Sequence, residues 1–403
     1  MNPLLASLQP YPFERLRQLF AGVTPNPQRT HISLGIGEPK HATPEFVKKA
    51  LTASLDTALS GYPATAGELK MREACANWLQ RRYGIEVNPA TQVLPVNGSR
   101  EALFSLAQAV LNPTQTGGIV ISPNPFYQIY EGATLLGGAK PYYVANTADN
   151  NYAAHWDAVP ADVWAKTQLL FVCSPGNPTG KIMPLDEWQK LFELSEKYGF
   201  VIASDECYSE IYFRDEAPLG GLEAASLLGY KDFKRLVAFT SLSKRSNVPG
   251  LRSGFVAGDA AILKDFLLYR TYHGCAMSGV VQAASIAAWN DEAHVAENRN
   301  MYRTKFAEVT PVLAEVMDVK LPDASFYLWA GVPAAWGNSD TDFARELYAA
   351  EHVTVLPGSY IARTAHGFNP GQGRVRMALV AETAECLEAA HRIARFIRSG
   401  RPT

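Results

Sequence analysis

The segment Ser241-Leu242-Ser243-Lys244 has the residue types of a site that binds a phosphorylated aldehyde. A lysine that forms an imine must be partly desolvated, because only its neutral amine attacks a carbonyl. The two serines can donate hydrogen bonds to a phosphate, and Arg252, eight residues after Lys244, can bind one through two parallel N–H donors. A polar turn with a surface lysine and a structural arginine is the simpler alternative. The Gly-Leu-Arg-Ser-Gly motif around Arg252 favours the cofactor site.

Three further residues match the other end of such a cofactor, pyridoxal phosphate (PLP). Asp205 follows the apolar run 200–203, where a buried carboxylate would keep the pyridine nitrogen protonated, as an electron sink requires. Tyr208, three residues later, could donate a hydrogen bond to the phenolate oxygen. Asn177, in a Ser-Pro-Gly-Asn-Pro turn, could donate to the same oxygen. A helix cap is the alternative for Asp205, and an ordinary loop residue is the alternative for Asn177.

Gly98-Ser99-Arg100 lies where a strand gives way to a helix. Free backbone N–H groups at a helix N-terminus bind anions, and glycine allows a close approach. Tyr127 follows the next strand, where its ring could stack on the pyridine face. A capped helix and a core tyrosine are the alternatives. These residues predict a phosphate site and a stacking ring.

Two arginines, Arg374 and Arg376, occupy alternate positions of a strand near the C-terminus. Alternate side chains of a strand share one face, so both could point at one substrate. Arg376 is the candidate for bidentate binding of a substrate α-carboxylate. The alternative is a pair of surface arginines.

A repeated unit of apolar strand, turn and helix positions these residues. Strands are predicted at 92–96, 118–121, 169–173, 200–203 and 236–239, with one near 253–257 that could run against the others. Buried strands separated by helices predict an α/β fold with a mainly parallel sheet, whose ligands bind beyond the carboxyl ends of the strands. From about residue 290 the predicted elements change to a long helix, short strands and a final helix. We expect an N-terminal segment (1–43), a large PLP-binding domain (44–288) and a smaller α+β domain (289–403).

Composition limits the partners. The chain has 37 Lys plus Arg against 39 Asp plus Glu, and this near balance argues against nucleic acid or an anionic membrane. Five scattered cysteines without a C-x-x-C pair predict reduced thiols, and no metal-ligand spacing occurs. The first residues lack the pattern of a signal peptide. The sequence therefore predicts a cytoplasmic protein with a small-molecule substrate.

In this order along the chain, the motifs resemble those of the class I/II aminotransferases, PLP enzymes of fold type I. The resemblance runs from about Ile32 to Arg395 and implies that Lys244 holds PLP as a Schiff base. It implies the following roles for the other residues: Asp205 at the pyridine nitrogen; Asn177 and Tyr208 at the phenolate oxygen; Gly98, Ser99, Arg100, Ser241, Ser243 and Arg252 at the phosphate; Tyr127 as the stacking ring; Tyr62 at the phosphate of the neighbouring subunit in a homodimer; and Gly37 with Arg376 at the substrate α-carboxylate.

The N-terminal run Pro10-Tyr11-Pro12-Phe13-Glu14-Arg15-Leu16, with Gly37-Glu38-Pro39-Lys40-His41, is similar to N-succinyldiaminopimelate aminotransferases of bacterial lysine biosynthesis. This resemblance implies transamination between N-succinyl-LL-diaminopimelate and 2-oxoglutarate. Aspartate-type enzymes commonly carry a distal-carboxylate arginine about thirty residues after the lysine, and the segment 273–279 lacks one. Three cations are candidates for binding the distal anion: Arg17, Lys40 and Arg270.

Other functions remain open at this point. An aspartate or aromatic aminotransferase, or a PLP-dependent C–S lyase, would share the core residues. A PLP-binding sensor domain of a transcription regulator would carry an N-terminal winged helix, for which the residues before Ile32 leave no room.

Overall fold

The computed structural model describes residues 1–401, which form two main sheets and a set of surrounding helices. The strands within these residues are β1 (Ile32–Ser33), β2 (Val93–Val96), β3 (Ile119–Asn124), β4 (Lys140–Ala145), β5 (Thr167–Cys173), β6 (Val201–Asp205), β7 (Leu236–Ser241), β8 (Gly254–Gly258), β9 (Tyr327–Gly331), β10 (Val353–Thr354), β11 (Leu356–Pro357) and β12 (Arg374–Ala378). The α-helices are α1 (Pro12–Leu19), α2 (Glu45–Ala53), α3 (Leu55–Ala58), α4 (Leu69–Tyr83), α5 (Ser99–Val110), α6 (Gln128–Leu136), α7 (Ala161–Trp164), α8 (Leu185–Tyr198), α9 (Gly221–Leu227), α10 (Leu242–Arg245), α11 (Ala260–His273), α12 (Gly279–Trp289), α13 (Ala293–Ala314), α14 (Asp340–Glu351) and α15 (Thr383–Arg398).

The larger sheet has seven strands in the order β2-β8-β7-β6-β5-β3-β4. Strand β8 pairs antiparallel with both β2 and β7, and the other pairs are parallel. This arrangement confirms the predicted α/β class and the strand that opposes the rest. Strand β4 was not predicted, because its residues are mostly half-exposed at the sheet edge and give no continuous apolar run.

Alternate residues of the central strands enter different hydrophobic clusters on the two faces of the sheet. On β5, Leu170 and Val172 pack on one face, and Leu169 and Phe171 pack on the other. Helices α4, α8, α9 and α12 contribute to the first face, and α5, α6 and α11 contribute to the second. Both faces are therefore dry, and polar groups can meet solvent or ligand only at the strand ends.

The helices begin and end where local sequence favours it. Helix α8 carries Asp186 and Glu187 in its first turn and Lys197 in its last, which matches the polarity of the helix dipole. It ends at Gly199, whose φ of 83° is left-handed and therefore suits glycine. Such firm boundaries fix where the next strand, β6, begins and hence where Asp205 lies.

A second, three-stranded antiparallel sheet has the order β11-β12-β9. It packs with α13, α14 and α15 around a separate hydrophobic cluster that includes Phe306, Leu347, Met377 and Ile393. The N-terminal part joins this unit, since β1 pairs in parallel with β10 and Leu34 N–H donates to the Thr354 carbonyl at 2.8 Å. Ala378 N–H on β12 also donates to the Leu34 carbonyl at 2.7 Å, so residues 32–34 are attached to the C-terminal unit.

Among residues 1–401, none of the helices combines the length and the apolar character that a transmembrane span requires.

Glu206, directly after Asp205, is buried beneath the sheet edge. Its carboxylate accepts hydrogen bonds from Gly221 N–H at 2.7 Å, Ser204 Oγ at 2.8 Å and Tyr83 Oη at 3.3 Å. Burial raises the pKa of Glu206 to about 7, and these hydrogen bonds offset only part of the effect. The chain therefore keeps a carboxyl that is easily protonated next to the strand end that carries Asp205.

We predict that Glu206 makes the stability of the protein depend on pH. Because its folded pKa lies above its unfolded value of 4.5, its contribution is fully present below pH 4.5 and is lost as the pH rises through about 7. Between pH 4.5 and 8 the wild type should lose up to ~3 kcal/mol of unfolding free energy relative to Glu206→Gln. Urea unfolding across this range measures the difference, with the exposed Glu216→Gln as control. Parallel pH profiles for wild type and Glu206→Gln would contradict the assignment.

Candidate active site

The carboxyl ends of the central strands and the second sheet enclose a cavity of about 330 Å³. Its lining comes from both sheets and from the N-terminal segment: Tyr11, Pro12, Phe13, Ile36, Gly37, Ser99, Arg100, Tyr127, Gln128, Asn177, Asp205, Cys207, Tyr208, Ser241, Ser243, Lys244, Arg252, Tyr327, Leu356, Ile361 and Arg376. Most of the residues that the sequence singled out thus meet in one place.

Lys244 lies on the short helix α10, directly after β7. Ser241 caps this helix, because its Oγ accepts a hydrogen bond from Ser243 N–H at 3.1 Å. The carbonyl of Lys244 accepts a hydrogen bond from Asn298 Nδ2 on α13 at 3.2 Å. The backbone of Lys244 is therefore fixed, and its half-buried side chain lines the cavity.

The N-terminus of α5 lies beside Arg252 at one end of the cavity. Gly98 precedes the helix with a φ of 85°, and a Cβ at this position would lie 2.3 Å from Arg252 Nη2. Only glycine allows the guanidinium to approach the helix N-terminus this closely. Arg252 Nη1 donates to the Pro249 carbonyl at 2.7 Å, which aims the side chain across the helix end. Together with Ser99, Ser241 and Ser243, this arrangement supplies donors for a phosphate.

Asp205 is a buried carboxylate at the end of β6, with only 5% of its surface exposed. Its Oδ2 accepts a hydrogen bond from Tyr130 Oη at 2.7 Å, and its Oδ1 accepts one from Cys207 N–H at 3.3 Å. Within the described chain it forms no salt bridge. Burial, followed by the charge of Asp205, raises the pKa of Tyr130, so this phenol stays a donor.

Tyr130 was not predicted from the sequence. Its ring stacks on Phe171, with centroids 4.6 Å apart and planes 10° apart, and this contact holds the hydroxyl against Asp205. Tyr130 lies one helical turn after Tyr127, on α6. This spacing could have indicated Tyr130 from the sequence, because residues three apart on a helix are neighbours on one face.

Arg376 and Asn177 are joined across the two sheets. Arg376 Nη1 donates to Asn177 Oδ1 at 3.1 Å, and Nη2 donates to the Gly35 carbonyl at 3.0 Å. Its Nε is buried without a partner, which leaves a donor free for a ligand carboxylate. The expectation that Arg374 could also point at the substrate is wrong, because Arg374 binds Asp318 at 3.0 Å outside the cavity.

Tyr208, Tyr327 and Gly37 form the wall beside Arg376. The hydroxyls of Tyr208 and Tyr327 are 3.2 Å apart, and a Cβ on Gly37 would lie 1.9 Å from the Tyr327 hydroxyl. Burial, then the neighbouring Tyr327, raises the pKa of Tyr208. Tyr327 was not predicted, since its strand offers no motif beyond an apolar run.

The three cations considered for a distal anion are not in the cavity lining. Arg270 is fully buried and binds Glu101 at 2.9 Å and the Cys275 carbonyl at 3.0 Å. Arg17 pairs with Glu14, and Lys40 lies 3.8 Å from Glu385. Each therefore already has a partner. Tyr62 is also outside the cavity of its own chain, with its side chain fully exposed.

Arg100, like the other lining cations Lys244, Arg252 and Arg376, has no acidic partner among the described residues. Its guanidinium lies 5.2 Å from the centroid of the Tyr11 ring. Tyr11, Phe13 and Ile36 give this side of the cavity an aromatic and aliphatic surface. Arg100 is a predicted phosphate ligand, and the structure shows that its guanidinium borders the N-terminal segment.

The donor set fits PLP. A lysine amine, a phosphate cradle at a helix N-terminus and a buried carboxylate without a cation occupy separate parts of one cavity. These groups match the aldehyde, the phosphate and the ring nitrogen of the cofactor. The unpartnered Nε of Arg376 leaves room for a carboxylate on the other side.

Comparisons with known proteins agree with this geometry. The family described as aminotransferase class I and II matches residues 29–393. An LL-diaminopimelate aminotransferase of Nitratidesulfovibrio vulgaris (strain DP4) is 33% identical over 97% of this chain and 98% of its own length. A crystal structure of an aminotransferase from Neisseria meningitidis Z2491 has 55% identity and a TM-score of 0.95, covering 99% of this chain and 100% of that one. A probable N-succinyldiaminopimelate aminotransferase from Thermus thermophilus has 28% identity and a TM-score of 0.83, covering 95% and 99%. The chain thus belongs to the class I and II aminotransferases, which use pyridoxal phosphate.

Proposed function

We propose that Lys244, Asp205 and Arg376 are the central residues of a transaminase whose substrate carries a second anionic group far from the reacting carbon. The convergence of these three side chains in one cavity carries the assignment. When bound, PLP supplies the electron sink that makes a substrate Cα–H bond acidic. The protein supplies binding, orientation and proton transfer.

Each residue has one task in this proposal. Lys244 would hold the cofactor covalently, and its amine, when free, would move the proton at the substrate Cα. Asp205 would keep the ring nitrogen protonated, while Asn177 and Tyr208 would donate hydrogen bonds to the phenolate oxygen. Arg376 binds the α-carboxylate and so turns the Cα–H bond towards the Lys244 amine.

The far end of the substrate is assigned to the side of the cavity that holds Arg100 and Tyr11. Asp205 is the only carboxylate in the described lining, and it lies at the cofactor end. A distal ammonium would therefore find no acid from this chain, whereas a distal carboxylate would meet Arg100. This charge pattern favours a succinylated amine over a free one.

We therefore propose N-succinyl-LL-diaminopimelate and 2-oxoglutarate as the substrates, in lysine biosynthesis. The names of the relatives support a diaminopimelate skeleton, with the free compound in the Nitratidesulfovibrio protein and the succinylated one in the Thermus protein. Free LL-diaminopimelate is the second candidate substrate, because the Nitratidesulfovibrio relative is named for it. We place the reaction in the cytoplasm, where the five free cysteines would stay reduced.

A homodimer with shared sites is part of the proposal. Tyr62 projects fully into solvent and takes no part in the cavity of its own chain. Leu59, Leu268 and Tyr272 are other large apolar side chains that are more than half exposed. Exposed apolar groups of this kind are typical of protein interfaces. Tyr62 would reach the phosphate of the partner subunit.

We predict that kcat/KM is higher for N-succinyl-LL-diaminopimelate than for free diaminopimelate, aspartate or an aromatic amino acid. Binding of the remote anion orients the reacting end, so substrates without it lose rate as well as affinity. Arg100→Met should lower kcat/KM for the succinylated compound about 10- to 100-fold more than for alanine, because only the former loses a charged hydrogen bond to its distal carboxylate, whereas any contribution of Arg100 to phosphate binding affects both substrates. Steady-state kinetics with 2-oxoglutarate measures this, with Arg17→Met as a surface control.

The outcomes of this panel separate the candidates. A higher kcat/KM for free diaminopimelate would identify it as the substrate in place of the succinylated compound. A higher kcat/KM for aspartate or an aromatic amino acid would reject the diaminopimelate skeleton. Release of ammonia or a thiol without keto-acid acceptance would indicate a lyase.

Lys244→Ala should bind PLP yet fail to convert any amino donor, as absorbance in single-turnover mixtures would show.

Shared sites are tested by mixing two inactive variants, Tyr62→Phe and Lys244→Ala. In a heterodimer one site carries both changes and the other carries neither, so about half of the wild-type activity should return. Differently tagged subunits allow the heterodimer to be purified and verified before the assay. If a verified heterodimer is as weak as its parents, Tyr62 does not act across the interface.

A further inference from the structure

Tyr327 contacts two groups to which the proposed function gives different tasks. Its hydroxyl is 3.2 Å from the hydroxyl of Tyr208, and both side chains are buried. Its ring lies under the guanidinium of Arg376, 4.2 Å from centroid to Cζ. One side chain thus joins the residue beside the cofactor's phenolate oxygen to the residue at the substrate carboxylate.

The hydroxyl of Tyr327 also lies against Gly37. A Cβ at that position would be 1.9 Å from the hydroxyl oxygen, so the phenol occupies the space that a side chain would fill. Arg376 Nη2 is held by the carbonyl of Gly35, two residues earlier. A carboxylate that binds Arg376 beside Gly37 therefore arrives within reach of the Tyr327 hydroxyl.

We propose that Tyr327 is a positioning residue that couples carboxylate binding at Arg376 to the hydrogen bond that Tyr208 gives the cofactor. This inference rests on the proposed function. Tyr327 itself need not touch the cofactor.

The physical basis is the sharing of protons between two phenols. When Tyr327 donates to the Tyr208 oxygen, the proton of Tyr208 is free for the phenolate oxygen of the cofactor, and the chain of hydrogen bonds strengthens each member. An arriving carboxylate is a stronger acceptor for the Tyr327 proton. If Tyr327 turns to it, Tyr208 loses its donor and binds the phenolate oxygen less strongly.

Both phenols must stay protonated for this exchange. Burial raises the pKa of Tyr208, and Tyr327 raises it further. Cys173 also raises it, whereas Arg376 acts in the opposite direction. Near neutral pH Tyr208 therefore remains a donor.

We expect Tyr327→Phe to raise the apparent pKa of the cofactor's visible absorption band by about half a unit to one unit, the worth of one neutral hydrogen bond. The change keeps the ring over Arg376 and removes only the hydroxyl. Absorbance titration of the purified holoenzyme measures the pKa in the wild type, Tyr327→Phe, Tyr208→Phe and the double variant. In the Tyr208→Phe background the second change should have no effect. Tyr302→Phe, which removes a buried hydroxyl without a partner, is the matched control and should leave the pKa unchanged.

The coupling is read with saturating glutarate, an unreactive dicarboxylate. Glutarate should shift the pKa of the absorption band in the wild type, and this shift should be smaller in Tyr327→Phe. An unshifted pKa in Tyr327→Phe, additive shifts in the double variant or an unchanged glutarate effect would overturn the inference while leaving the proposed function intact. Failure of the wild type to develop a visible band with PLP would overturn the proposed function and this inference with it.

Discussion

A carboxylate removed from water must be stabilised by donors or by a cation, and Asp205 has only the donors. Tyr130 Oη and Cys207 N–H bind it, and no salt bridge within the described residues neutralises it. The unpaired carboxylate lines the cavity, at the end of a strand buried on both faces. A protonated ring nitrogen is the cation that would complete this site. The arrangement is therefore prepared for a ligand that carries a positive charge at one defined point.

The sheet makes this preparation possible. Three candidate residues lie at the carboxyl ends of neighbouring strands: Lys244 after β7, Asp205 at the end of β6 and Asn177 after β5. Because these strands are parallel, their carboxyl ends meet at one edge of the sheet. Because both faces of the sheet are packed with apolar side chains, the strand ends cannot shift independently. The second sheet then brings Arg376 to the same edge, where its hydrogen bond to Asn177 joins the two parts. The proposed cofactor residues thus come from the large sheet, and the proposed carboxylate arginine comes from the small one.

Much of this could be predicted from sequence because the motifs lie at strand ends. Apolar runs followed by Gly, Pro, Asn or Ser indicated the α/β class, and the residue types of Lys244, Asp205 and Arg252 pointed to the cofactor. Tyr130 and Tyr327 were missed because their roles depend on packing between distant segments, which no local pattern reveals. The opposite error arose with Arg270, a cation in a suggestive region that proved fully buried against Glu101. Sequence gives the charge of a side chain and leaves open whether the fold has already paired it.

The central claim is that Asp205 binds the ring nitrogen of the cofactor and keeps it protonated. The most direct measurement is the ¹⁵N chemical shift of ring-labelled PLP bound to the wild type and to Asp205→Asn near neutral pH. We expect a protonated nitrogen in the wild type and an unprotonated one in the variant, because the neutral amide cannot stabilise the positive charge. The same protonated signal in both proteins, or an unprotonated one in the wild type, would contradict the claim.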